Sequence, residues 1–225
     1  MSAQLRRPRL AIIGSLVAAA LVAALAPTSA LGASSWARDV YFSQAYERQV
    51  DSRTCTAAAT AMMMNMIDRH DLNMSQMTIL RYEQPRDALN DSVQRGSDPL
   101  GWSRAATYFS RYTSRPTTYR WESYTSRAAA LRRAVQQLAR TAKPVGLLVA
   151  HGTHAVVLTG ATASANPVAT SSFSVGSIAI SDPAGYSHRW YVSTASPLNT
   201  YLETDATAWY DSAWYGKYVI VVPQA

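Results

Sequence analysis

The stretch Gln49-Val-Asp-Ser-Arg-Thr-Cys-Thr-Ala-Ala-Ala-Thr-Ala-Met-Met-Met-Asn-Met-Ile67 holds the single cysteine of a 225-residue chain. After Cys55, apolar residues fall at Ala58, Ala59, Met62, Met63, Met66 and Ile67, the i, i+3/i+4 spacing of a helix with one buried face. Small alanines on the first two turns allow close packing against a neighbour, and Asp68-Arg69-His70-Asp71 ends the helix. Cys55 then lies in the first turn. There the unpaired amides and the helix dipole favour a thiolate.

The residues before this stretch read as a targeting segment. Arg6, Arg7 and Arg9 precede an uninterrupted apolar run, Leu10 to Ala26, that stops at Pro27. That order is a secretory signal over residues 1–33, with cleavage after Ala30 or Ala33. An uncleaved anchor is the rival reading, since the run approaches the roughly 17–25 residues a membrane helix needs. An exported chain with one thiol has no internal disulfide to form, so Cys55 is either a small buried hydrophobe or a reactive group. Three of the 21 Lys+Arg and none of the 14 Asp+Glu fall in the signal, leaving about +4 on the rest. This mild excess attracts an anionic cell wall weakly and is not a nucleic-acid footprint. The rest suits one domain, expected as a monomer spanning residues 34–225 with no stable membrane insertion after cleavage.

Downstream, Val40 and Phe42 alternate with polar neighbours as in a brief strand. Residues 73–101 are irregular or weakly helical, a short helix follows from Ser103 to Tyr112, and Arg115 to Trp121 is extended. Ser126 caps a helix from Arg127 to about Thr141. Then come buried strands at Pro144–Ala150 and His154–Gly160, a loop from Thr162 to Ser174, and strands at Ser177–Ser181, Arg189–Ser193 and Lys217–Val222. Helices first and strands afterwards predict an α+β domain with an antiparallel sheet.

His154 opens one buried strand and Asp182 closes the next, so antiparallel pairing sets them side by side at one sheet edge. A cysteine acyl-transfer enzyme needs a thiolate, a base, a group that orients the base, and donors for the oxyanion. Taken singly, each has a plain reading: His154 as a core histidine, Asp182 before Pro183 as a turn residue, Gln49 as an ordinary loop glutamine. His151 is the rival base. His151, His154 and Asp182 lack the spacing of a zinc site, so neither metal nor cofactor is expected. The Met62–Met66 cluster reads as core packing. Four arginines from Arg104 to Arg120 alternate with Trp102, Tyr108, Tyr112, Tyr119 and Trp121, reading as a solvated face or a glycan or peptide subsite.

The order Cys55, His154, Asp182, with Gln49 six residues before the cysteine, resembles the papain-like cysteine peptidases. Within them it is most similar to the bacteriocin-processing (double-glycine leader) peptidases and their secreted relatives. Lys143-Pro144-Val145, His154-Ala-Val-Val-Leu-Thr-Gly160 and Ile180-Ser-Asp-Pro183 also carry the resemblance. It implies a papain-like fold, with the cysteine helix packed on a sheet bearing the histidine and aspartate. It further implies Cys55 as nucleophile, His154 as general base and acid, and Asp182 as orienter. Gln49 with the Cys55 N–H would form the oxyanion hole, and the substrate would be a peptide or protein. Such families place glycine directly after the nucleophile, where this chain has Thr56. Thr56, Trp102 and His151 are the candidate substrate contacts. A side chain at Thr56 that narrowed the cleft would make the chain a silent binding module. A transglutaminase or acyltransferase using the same triad is the other alternative.

Overall fold

A computed structural model describes residues 36–88, 96–193 and 214–225. The signal segment and Trp209-Tyr210, expected to pack around a terminal helix, lie outside the described residues. The elements run β1 (Trp36–Asp39), a 3-10 turn (Ser43–Ala45), α1 (Cys55–Asp68), α2 (Gln76–Glu83), α3 (Pro99–Ser110), β2 (Tyr119–Tyr124), α4 (Arg127–Thr141), β3 (Val145–Val149), β4 (His154–Ala163), β5 (Val175–Asp182), β6 (Tyr186–Val192) and β7 (Tyr218–Pro223). The described strands form one sheet in the order β2-β7-β3-β4-β5-β6, with β1 beside the far half of β4. Every pairing is antiparallel. The α+β expectation holds, with the Cys55 helix packed on the sheet that carries His154 and Asp182.

Helix α1 starts at Cys55 and ends at Asp68, where Arg69 takes a left-handed conformation and donates its N–H to the Asn65 carbonyl. The expectation of one buried face is corrected: all residues from Thr56 to Ile67 are buried. A helix apolar around its circumference is a central helix. It packs on α2 and α3 on one side and on β4 on the other, and the alanines at 57, 58, 59 and 61 let these neighbours approach. The four methionines from 62 to 66 fill the space between them, each at most 1% exposed.

The described parts of segment 73–101, residues 73–88 and 96–101, are more regular than its breakers suggest. Ser75 caps α2 through its side chain. Pro99 opens α3 at the first helical position, where its missing N–H costs nothing, and the Asp98 carboxylate accepts from the Leu100 and Gly101 amides. This helix therefore begins four residues earlier than the expected Ser103. α4 is capped by Ser126 as expected.

Strand β7 inserts between β2 and β3, burying Val219 to Val222. On β3, Gly146 lies under Trp102: a Cβ there would come within 2.5 Å of the indole ring. The strand has a glycine at this point because the indole occupies the space a side chain would need.

Candidate active site

The loop from Tyr46 to Thr54 delivers Cys55 to the sheet edge and is held at several points. The Asp51 carboxylate accepts from the Arg53 amide at 2.8 Å and pairs with its guanidinium. Thr54 Oγ donates to the Asp51 carbonyl and accepts from the Val50 and Asp51 amides. The Gln76 side chain, reaching in from α2, accepts from Val50 N–H and donates to the Arg48 carbonyl. Two further bonds tie the loop to the turn after β5: Gln49 N–H donates to the Pro183 carbonyl at 3.0 Å, and Tyr46 OH donates to the Asp182 carbonyl at 3.2 Å. The segment that carries the thiol is thus clamped to the segment that carries the carboxylate.

His154 is the first residue of β4 and Asp182 the last of β5. Val157 faces Ser181 in the β4–β5 ladder, so the next position sets Val156 across from Asp182. His154, two residues earlier on the same face, is a diagonal neighbour within reach of a long side chain. His154 Nε2 and Asp182 Oδ1 are 2.7 Å apart. The same carboxylate oxygen accepts the Ala184 N–H at 2.8 Å, which fixes its direction. Both side chains are largely buried, 17% and 8% exposed.

Burial alone would push the His154 pKa down, but the hydrogen bonds to Asp182 and Cys55 and the charges of both outweigh it, raising the imidazole to about 9. Burial likewise opposes ionisation of Asp182, yet the hydrogen bonds from His154 and from the Ala184 amide hold its carboxyl below the usual value. The histidine is therefore charged at neutral pH, oriented by the Asp182 carboxylate and under the electrostatic influence of Cys55. The Cys55 side chain is half-buried at the first turn of α1.

The structure joins His154 to Asp182 and places Gln49 on the clamped loop that leads to Cys55. The Gln49 amide nitrogen donates to the Asp51 carbonyl at 3.0 Å, while its oxygen is buried without a partner. His151 sits exposed on the turn between β3 and β4 with φ of 58°. It is Nε2 of His154, not His151, that meets Asp182.

Two candidate substrate contacts are corrected. Trp102 is fully buried against β3 and offers no surface to a substrate. Thr56 is 1% exposed, and its hydroxyl donates to Glu83 Oε2 at 2.7 Å, into the interior. Consecutive helical residues point about 100° apart, so a half-exposed Cys55 and an inward Thr56 are compatible. The side chain standing where glycine was expected points into the interior, and Cys55 stays half-buried beside it.

Tyr46, Gln76 and Glu83 carried no signal legible in the sequence. Tyr46 and Gln76 act through bonds to residues far along the chain, and Glu83 lies on a helix whose polar positions look solvated. Glu83 is fully buried, with one oxygen held by Thr56 and the other unpartnered. Burial raises its pKa to about 8, with the Thr56 bond opposing and the nearby charges of Asp87 and Asp98 reinforcing. The folded protein therefore holds a proton that the unfolded chain releases near the ordinary value of 4.5. Its contribution to stability is complete below that value and is lost as pH rises through about 8. Glu83→Gln is expected to flatten this slope in urea melts taken across the same interval. An unchanged slope would mean that Glu83 is not buried as a neutral acid.

No protein-family profile and no curated protein matches the chain. Among solved structures, that of UfSP from C. elegans aligns with a TM-score of 0.46 and 11% identity, over 80% of this chain and 32% of that one. The chain thus spans about a third of the length of that protein.

Proposed function

We propose that the protein is a cysteine peptidase of papain-like type, working through an acyl-enzyme on Cys55. The observation that carries this reading is the His154–Asp182 bond of 2.7 Å, with the half-buried Cys55 near enough to influence the His154 charge. In the first step the Cys55 thiolate adds to the substrate carbonyl carbon, forming a C–S bond and placing the negative charge on oxygen. The Cys55 N–H, free of an intrahelical partner in the first turn, and the second N–H of the Gln49 amide are the donors for that oxyanion. The tetrahedral intermediate collapses as the His154 imidazolium gives its proton to the departing amine, leaving a thioester. Neutral His154 then takes a proton from water, whose oxygen displaces the thiolate and releases the acid. Asp182 keeps the imidazole in the tautomer that directs Nδ1 to the sulfur throughout.

The inward Thr56 argues against a silent binding module, because a closed cleft would require its side chain over the sulfur. The same chemistry serves acyl transfer to an amine, so a transglutaminase is the second reading. Which nucleophile resolves the thioester distinguishes them. The nearer likeness to double-glycine leader peptidases rests on the short motifs alone. Export through a signal over residues 1–33, with an extracytoplasmic place of action, belongs to the same proposal, and so does His151 as a contact on the cleft rim. Among the described residues no helix is long and apolar enough to cross a membrane.

Alkylation of the native protein tests the site directly. Iodoacetamide is expected to label Cys55 rapidly and stoichiometrically, and His154→Ala is expected to slow the labelling. A thiol that reacts only after denaturation would remove the basis for the proposal.

A further inference from the structure

Four arginines gather around one cavity well away in sequence from the triad. It has a volume of about 580 Å³ and is lined by the end of α2 and the residues just after it, by one face of α3 and by the start of β2. Arg86, Arg104, Arg111 and Arg120 all line it, and among the described residues no carboxylate does. Among the described residues none of the four makes an ion pair. Like charges crowded without counter-charge repel, and a surface usually relieves this by interspersing acids.

The guanidinium groups are also ordered before any ligand arrives. Tyr82 and Tyr108 stack with ring centres 4.2 Å apart. Arg86 lies 3.6 Å over the Tyr82 ring and Arg111 lies 4.1 Å over the Tyr108 ring. Arg86 also donates to the Tyr82 carbonyl, and Arg104 donates to the Arg86 carbonyl, each at 2.9 Å. Stacking engages the flat faces of a guanidinium and leaves its in-plane N–H edges for an anion. It also fills the tyrosine faces, which are then not platforms for a sugar or a base.

We infer that this basin is a binding site for an oligophosphate group, distinct from the site at Cys55. Guanidinium groups reach it from three different elements. A planar carboxylate accepts one or two such forks in its own plane, whereas a phosphate presents several oxygens in tetrahedral directions and carries more charge in the same space. Clustered donors from several directions therefore fit phosphate better than an acidic peptide. The inference does not depend on the peptidase reading, and Cys55→Ala is expected to bind the same ligand unchanged.

The test is calorimetric titration of the full chain with sodium tripolyphosphate at low and at physiological salt, with a tetraglutamate peptide as comparator. One tripolyphosphate is expected per chain, bound more tightly than the peptide and more weakly as salt rises. Arg104→Glu and Arg111→Glu, both at exposed positions, are each expected to weaken it at least about tenfold. Arg140→Glu on α4, the same charge change outside the basin, is expected to leave it within about twofold. If a reversal variant fails to fold, Arg111→Gln replaces it with the same direction of effect. Absence of saturable binding, equal or tighter binding of tetraglutamate, or an equal loss in Arg140→Glu would each overturn the assignment.

Discussion

Cys55→Ala is expected to lower kcat on a cleavable peptide by about four to six orders of magnitude, with little change in KM. The reason lies in how little else can replace the sulfur. The thioester route divides a difficult hydrolysis into two easier steps, and without the thiol only water is available to attack. What survives in the variant is the rate supplied by binding and by the oxyanion donors, about three orders of magnitude over solution. KM changes little because the thiol makes its main contribution in the transition state rather than in the ground-state complex. Folding is not at stake, since alanine is the best helix former and Cys55 is half-buried at the end of α1 rather than in its packed middle. A peptide-library digest followed by mass spectrometry, run on wild type and variant with matched circular dichroism spectra, reads the result. Equal cleavage by both would show that the activity does not belong to Cys55, and no cleavage by wild type would return the question to acyl transfer.

Substitutions at Asp182 separate its charge from its geometry. Asp182→Ala removes the acceptor of the 2.7 Å bond from His154, freeing the ring to turn away from Cys55, and is expected to lower kcat by about a hundredfold or more. Asp182→Asn retains an oxygen that can accept from Nε2 but loses the negative charge. It is expected to cost about tenfold and to shift the pH profile. In the proposed mechanism the His154 imidazolium protonates the leaving amine, so the alkaline limb of kcat/KM is expected near pH 9, where His154 loses its proton. Since the Asp182 bond and charge raise that pKa, the Asn variant moves the limb toward neutral pH. A limb that stays in place would show that Asp182 does not govern the histidine.

The same two groups make a stability prediction with definite signs. His154 has a folded pKa above its ordinary 6.5, so its share of stability is fully present below that value and is lost as pH rises through about 9. Asp182 has a folded pKa below its ordinary 3.8, so its share is present above that value and is lost as pH falls further. The pair therefore supports the fold between these limits. Glu83 works in the same direction as His154 but over a lower interval, and Glu83→Gln separates the two contributions.

The arrangement of bonds around the cleft suggests why such a site can be built without a disulfide. The loop carrying Cys55 has little regular structure of its own, yet it is braced by the turn bonds of Asp51 and Thr54, by Gln76 and by the Tyr46 bond to Asp182. A long-range bond to the turn after β5 then ties the Cys55 loop to the segment that carries Asp182. A site on such a braced loop approaches the positional precision of one on regular elements.

What the sequence determined by itself were the features fixed by neighbours within a few residues. The start of α1 at Cys55, the Ser126 cap and run of α4, and the strands opening at His154 and closing at Asp182 all follow from periodicity, capping and turn chemistry, which act over one or two turns of chain. Antiparallel pairing of adjacent strands then carried His154 to Asp182 without further information. Tertiary packing decided the rest. Nothing local shows that α1 is covered on every side, that β7 enters the sheet between β2 and β3, or that Trp102 fills the space above Gly146. Each depends on an element far along the chain arriving at one face. The rotation of α1 belongs to the same class. The helix could have turned Thr56 outward, and its bond to the buried Glu83 on α2 holds it inward, with Cys55 half-buried beside it.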